Sequence, residues 1–329
     1  MRHRVIGWLK WLAGIGALAL LVRCFNPAEI GHALAKADPV RVALATALYL
    51  VVLCIRSLRW GWLLRDLGIR VPFGRLLRAY VIGSYFNTFV PGGIGADLYK
   101  LYDVSRASAK TLRPAAATLV ERFTGILSLT LIGFVSILVF RRELPFSPWL
   151  LGGITGGIMV AAAVALAAVG RADRIARALA RLAPARWRTR LPIGRIARLA
   201  DVTRDVRGNT RLYVRTFLIG LAMQGVVLVT YYVIATALDP DVPFRLILVF
   251  IPLVDLTAMV PITANGMGVK EGLMLYFLRS ANLTASFSLS FSLLYRLIDT
   301  AYAIAGGILF LTARSARAPA VPPSDGPTV

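Results

Sequence analysis

Tyr85 to Asp97 read YFNTFVPGGIGAD. The stretch follows a basic run, lies in apolar sequence and is built to interrupt a helix. Pro91 has no amide for the helical ladder, and Gly92, Gly93 and Gly95 free the backbone from the helical well. In an apolar chain such a break is expected at membrane depth. There, unpaired amides and carbonyls are tolerated only against protein or a water-lined cavity. Asn87 and Asp97 set polar groups on either side of it. A broken helix with polar flanks in lipid points to a binding site. The plainer alternative is a helix–helix turn at the membrane surface.

Outward from this stretch, composition decides the class. The chain has 329 residues, 57% of them apolar, and a mean hydropathy of +0.70. Long uncharged runs then make it an all-α, polytopic integral membrane bundle. The net charge of +22 resembles that of a nucleic-acid binder. Here, however, the arginines gather in loops between apolar spans, which is the positive-inside pattern and an attraction to anionic lipid. No nucleic-acid partner is expected. Cys24 and Cys54 fall at different depths, and His3 and His32 are isolated. No disulfide, metal, cofactor or His-based catalysis is expected. The start, MRHR before Trp8 to Val22, resembles a signal peptide. It lacks a small-residue cleavage site, and Arg23 before Cys24 spoils a lipoprotein site, so an uncleaved first span is expected.

Taken in order, the spans are Val5 to Val22, Val42 to Cys54 or beyond, Ala115 to Phe140, Trp149 to Gly170, Tyr213 to Leu238 and Ser286 to Leu311. That makes about six full spans. Arg56, Arg59, Arg65 and Arg70 mark the end of the second as cytoplasmic, with Trp60 and Trp62 at the interface. The stretch holding Lys100, Arg106, Lys110 and Arg113 is equally basic. Both can lie inside only if Leu76 to about Tyr102 enters, turns at PGGIG and returns to the same side. Arg141-Arg142 then lie outside, against the trend. Arg171 to Arg215 holds thirteen arginines against three aspartates. It is expected to form amphipathic helices on the cytoplasmic leaflet. Asp239 and Asp241 beside prolines read as a turn rather than a metal-binding D-x-D. Leu246 to Leu278 is broken again, by Pro252, Pro261, Gly266 and Gly268. The organisation expected is a transmembrane domain over 1–313, with half-repeats at about 42–140 and 213–312, a basic segment at 171–215, and a disordered tail at 314–329.

The two broken segments match. Gly93-Ile94-Gly95 and Gly266-Met267-Gly268 are each followed by an acid, Asp97 or Glu271. Arg122 lies 27 positions after Gly95, and Arg296 lies 28 after Gly268. One hairpin enters from inside and the other from outside, so the halves form an inverted repeat, and the paired breaks point to a midplane site. Half-helix amides after a glycine turn suit a phosphate, and two arginines can bind the same anion in bidentate fashion. The expected headgroup site is Asn87, Pro91, Gly92, Gly93, Gly95, Asp97 and Arg122 from the first half. Asn265, Gly266, Gly268, Glu271 and Arg296 complete it from the second. Asp97 and Glu271 would meet a cationic headgroup or a coupling proton. The alternative for both arginines is internal ion pairing, with Asp299 one turn from Arg296.

At these residues the chain resembles the lysylphosphatidylglycerol synthase transmembrane, or flippase-like, family. The likeness rests on R-x-x-R-W at Arg56 to Trp60, FNTFVPGGIGADLYKLY at Phe86 to Tyr102 and V-E-R-F at Val120 to Phe123. PITANGMGVKE at Pro261 to Glu271 and Tyr295-Arg296 complete it. The second block departs at Thr263-Ala264-Asn265 from the family's usual P-x-P-x-G-x-G-x-x-E. Arg2 and Arg4 at the start, and Arg314 and Arg317 after the last span, place both termini in the cytoplasm. The resemblance implies a bacterial inner-membrane protein with re-entrant helices and a role in moving lipids between leaflets. The chain stops after its last span, so the synthase activity of longer members is not expected. The reading is a flippase for an anionic or aminoacylated phospholipid or another lipid-linked intermediate, with no catalytic residues and with oligomerisation left open. The rivals are a membrane-embedded transferase acting on lipid and a non-transporting scaffold.

Overall fold

The computed structural model describes residues 35–90, 93–108, 112–144, 146–170, 210–259 and 268–315. Pro91, Gly92, Asn265, Gly266, the first span, most of the basic segment (171–209) and the tail fall outside them. The described residues are helical throughout, with no strand. The helices are α1 Pro39–Asp66, α2 Phe73–Asn87, α3 Gly95–Ser108, α4 Leu112–Val139, α5 Pro148–Gly170, α6 Thr210–Leu238, α7 Phe244–Ala258, α8 Val269–Ser280 and α9 Ala285–Ser315.

Local chemistry starts and stops them. The Asp38 carboxylate accepts the amides of Val40 (2.9 Å) and Arg41 (3.4 Å). Pro39, at the first helical position, has no amide to leave unpaired. Gly68, at φ +74°, turns the chain after α1, and α2 begins directly after Pro72. Helices α1, α4, α6 and α9 are each long and apolar enough to cross a bilayer. The 23 residues of α5 carry no charge and rise about 34 Å, more than the roughly 30 Å of hydrocarbon. Helices α2, α3, α7 and α8 have only 12 to 15 residues. They rise about 18–22 Å and cannot cross alone.

Contacts at the two ends of the bundle show where these short helices go. At one end Arg215 pairs with Asp66 at 2.5 Å, and Arg113 donates to the Leu67 carbonyl at 3.0 Å. There Arg75, at the start of α2, pairs with Asp103, late in α3, at 2.9 Å. At the other end the Asp38 amide donates to the Ala237 carbonyl at 2.9 Å, and Arg245 pairs with Glu143 at 2.8 Å. There Phe250 of α7 stacks on Phe277 of α8 at 5.1 Å. Each hairpin therefore enters and leaves at one end, and the two enter from opposite ends. Helices α1 and α6 run antiparallel between them.

Two apolar cores follow this division. One gathers Trp60, Leu63, Leu64, Leu76, Tyr80 and Val104 toward the Asp66 end. The other gathers Tyr231, Val254, Phe250, Phe277 and Phe291 toward the Asp38 end. Tyr49 and Tyr302, stacked at 4.8 Å, touch both. Exposed apolar side chains such as Trp149, Val160, Val139 and Leu311 coat the outside, as lipid contact requires.

Helix α1 runs beyond Cys54, to Asp66, which carries Arg56 and Arg59 inside the bundle. Arg59 is only 2% exposed and Lys100 only 1%. They are buried because carbonyls and carboxylates of neighbouring helices receive them.

Candidate functional site

Between the two cores lies a cavity of about 280 Å³ that both hairpins reach. Its shape begins with the first tip. Gly93 takes φ +66°, and Gly95 presses on the Phe86 carbonyl, where any Cβ would collide. Asn87 Oδ1 accepts the Ala96 amide at 2.8 Å. It thereby satisfies one of the amides expected to be free for a ligand and closes the turn.

Behind that tip the polar groups form one network. Lys100 Nζ reaches Glu121 Oε2 at 2.9 Å, the Tyr80 hydroxyl at 2.9 Å and Asp97 Oδ1 at 3.0 Å. The Tyr80 hydroxyl donates to Glu121 Oε1 at 2.5 Å, and the ammonium sits 4.3 Å from the Tyr80 ring centre. Asp97 is shared, because its Oδ2 also receives Arg122 at 2.8 Å. Arg59 donates to the Glu121 carbonyl at 3.0 Å and to Thr124 Oγ1 at 2.5 Å. Gly220 makes room for its guanidinium, since a Cβ there would sit 3.1 Å away.

The second half repeats the logic with different partners. Lys270 pairs with Asp255 at 2.7 Å. Asp255 also accepts the Tyr231 hydroxyl at 3.3 Å, and Tyr231 stacks on Tyr295 at 4.4 Å. Asp299 accepts the Tyr49 hydroxyl at 2.6 Å. Glu271 takes Arg296 at 2.5 Å, while its other oxygen accepts the Gly268 amide at 2.6 Å. Gly268 is held at φ +81°. The matched spacing thus corresponds to matched ion pairs, Asp97–Arg122 and Glu271–Arg296.

The expected site residues divide accordingly. Asn87, Gly93, Asp97 and Arg122 line the cavity, while Gly95, Gly268, Glu271 and Arg296 are not among its lining residues. The second hairpin contributes Asp255, Met259 and Lys270 instead. Sequence reasoning did not place Arg56, Arg59, Lys100, Glu121 or Tyr80 in the site, where all five line the cavity. The signals available were the Asp97–Lys100 spacing of three and the charges inside apolar runs.

Charge decides what the cavity can take. Its lining holds five basic side chains (Arg56, Arg59, Lys100, Arg122, Lys270) and four acidic ones (Asp97, Glu121, Asp255, Asp299). Lys100, Arg122 and Lys270 each meet a carboxylate. Among the described residues Arg56 has no hydrogen bond or ion pair, and Arg59 Nε is buried without an acceptor. No group of three or more potential metal ligands occurs among the described residues.

Two re-entrant hairpins from opposite ends, meeting at a charged cavity inside apolar spans, define a multi-pass helical membrane protein with a buried polar site. Residues 7–307 match the family described as the lysylphosphatidylglycerol synthase TM region, and the chain belongs to that family. It is 25% identical over 313 residues to a UPF0104 membrane protein of Methanothermobacter thermautotrophicus, covering 91% of this chain and 92% of that one. It is 26% identical over 325 residues to the glycosyltransferase AglD of Haloferax volcanii, covering 89% of this chain. It spans only about half of that relative, 52% of its length.

Proposed function

We propose that this protein binds the anionic headgroup of a membrane lipid in the central cavity and carries it between leaflets, without altering it chemically. The observation that carries this reading is the surplus of one positive charge in a cavity reached by both hairpins, with Arg56 unpaired. A cation at the centre of a span costs about 2.5–3.5 kcal/mol on insertion scales, which is an upper bound on the cost of leaving Arg56 without a partner. A phosphodiester carrying one negative charge would relieve that cost. Movement would follow from rocking of one half-repeat against the other about the site. The arginines at the Asp66 end, among them Arg65, Arg70, Arg106 and Arg113, support placing that end in the cytoplasm of a bacterial inner membrane.

The test is reconstitution into vesicles carrying labelled phosphatidylglycerol. Wild type should move label between leaflets and leave its mass unchanged. Arg56→Ala should fold normally, because no carboxylate loses a partner, and should lose most of the movement. Full movement by well-folded Arg56→Ala would overturn the assignment of the site. The name of the Haloferax relative motivates a transferase reading. A changed lipid mass would support that reading, and neither movement nor mass change would leave a scaffold.

A further inference from the structure

A second groove, of about 370 Å³, lies outside the central cavity, between the end of α1 and the start of α2. Leu58, Trp62, Phe73 and Leu76 line it with apolar side chains, and Arg65 and Arg70 line it too. Leu76 is packed into the core, whereas Leu58, Trp62 and Phe73 are 41%, 38% and 42% exposed. Neither guanidinium has a hydrogen bond or ion pair among the described residues. The nearby acids are engaged, Asp66 with Arg215 and Asp103 with Arg75. Arg215 also stacks over the Trp62 ring at 5.5 Å and holds it in place.

The length of α1 sets the depth of this groove. Its 28 residues rise about 42 Å, some 12 Å more than the hydrocarbon layer. With Asp38 at one interface, the turn holding Trp62 reaches the other, and Arg65 stands among headgroups. The groove therefore runs from the hydrocarbon boundary, at Leu58, about 30 Å along the helix from Asp38, out to headgroup depth at Arg65.

We infer that this groove is a specific site for one anionic phospholipid, separate from the central cavity. The two guanidiniums take the phosphate, and the ester region and first methylenes of an acyl chain lie along Leu58, Trp62 and Phe73. Charge complementarity selects this occupant: unneutralised arginines above an apolar slot discriminate against a zwitterionic lipid. The inference does not depend on what the central cavity carries.

Photocrosslinking of the full chain tests it. A diazirine-bearing phosphatidylglycerol is incorporated at trace level in phosphatidylcholine vesicles, and crosslinked peptides are mapped by mass. The expected result is labelling of the 58–62 and 73–76 segments, competed by unlabelled phosphatidylglycerol and not by additional phosphatidylcholine. Arg65→Ala/Arg70→Ala should reduce that labelling about 30-fold, at roughly a kcal/mol per arginine near a membrane surface. Labelling of cavity peptides should persist, and Arg65→Lys/Arg70→Lys should retain part of the groove signal. Equal competition by phosphatidylcholine in wild type would reduce the groove to a boundary-lipid surface and overturn the inference, whatever the variants do. Undiminished labelling in a folded double-alanine variant would overturn it too.

Discussion

Arg122 and Arg296 stand at matching distances after the two glycine turns, yet they carry different loads. The Glu271 side chain is 7% exposed and receives Arg296 and the Gly268 amide. Removing Arg296 strips this buried carboxylate of its cation, at a cost of about 3–5 kcal/mol. Asp97 is 21% exposed and keeps Lys100 when Arg122 is lost. Arg296→Ala should therefore lower the melting temperature and monodispersity of the detergent-extracted protein well below Arg122→Ala. Arg122→Ala and Arg122→Lys should stay folded and lose lipid movement, because lysine keeps the charge without the planar fork. Equal destabilisation by both alanine variants would remove the asymmetry between the halves. The acids after each G-x-G were legible in the sequence, and so was the equal spacing. Their partner choice was not, because the identity of a cation's partner depends on which helix faces it.

The hairpins are the elements on which the topology rests. Each pairs two helices too short to cross, and each brings its own ends together, through Arg75–Asp103 or Phe250–Phe277. Cysteines replacing the exposed Gly74 and Arg106 should react with an impermeant thiol reagent from one side of the membrane only. Cysteines replacing the exposed Asp241 and Arg279 should react from the opposite side only. Labelling of Gly74→Cys and Arg106→Cys from different sides would mean that the α2–α3 pair crosses the bilayer. The first hairpin was readable from the proline–glycine break and the basic sequence on both sides of it. The burial of the arginines near the end of α1 was not readable. Arg56 and Arg59 look the same in sequence whether a helix end carries them into headgroups or a longer helix carries them inward.

At the scale of the whole molecule, a polar layer is sandwiched between two apolar cores, one near each end of the bundle. The charge of that layer belongs to neither half alone, since α1 lends Arg56 and Arg59 to a cavity that α7, α8 and α9 also line. Arg56→Glu would turn a surplus of one positive charge into a surplus of one negative charge. Movement of phosphatidylglycerol in reconstituted vesicles should then fall to background, while a cationic lipid should be admitted at least as well as by wild type. Undiminished phosphatidylglycerol movement by this variant would show that net charge does not govern selection.

The amino-acid sequence by itself determined the membrane class, the helical content, the two breaks and their inverted pairing. All of these follow from local quantities: the length of an apolar run, the conformational freedom of glycine, the missing amide of proline and the sign of loop charge. Only the tertiary structure decided which charges face one another. It buried Lys100 between Glu121 and Asp97, turned Glu271 and Arg296 away from the cavity lining, and left Arg56 facing the cavity unpaired. The physical reason is that the cost of a charge in a membrane depends on its nearest neighbours across helices, and no spacing along one chain specifies those.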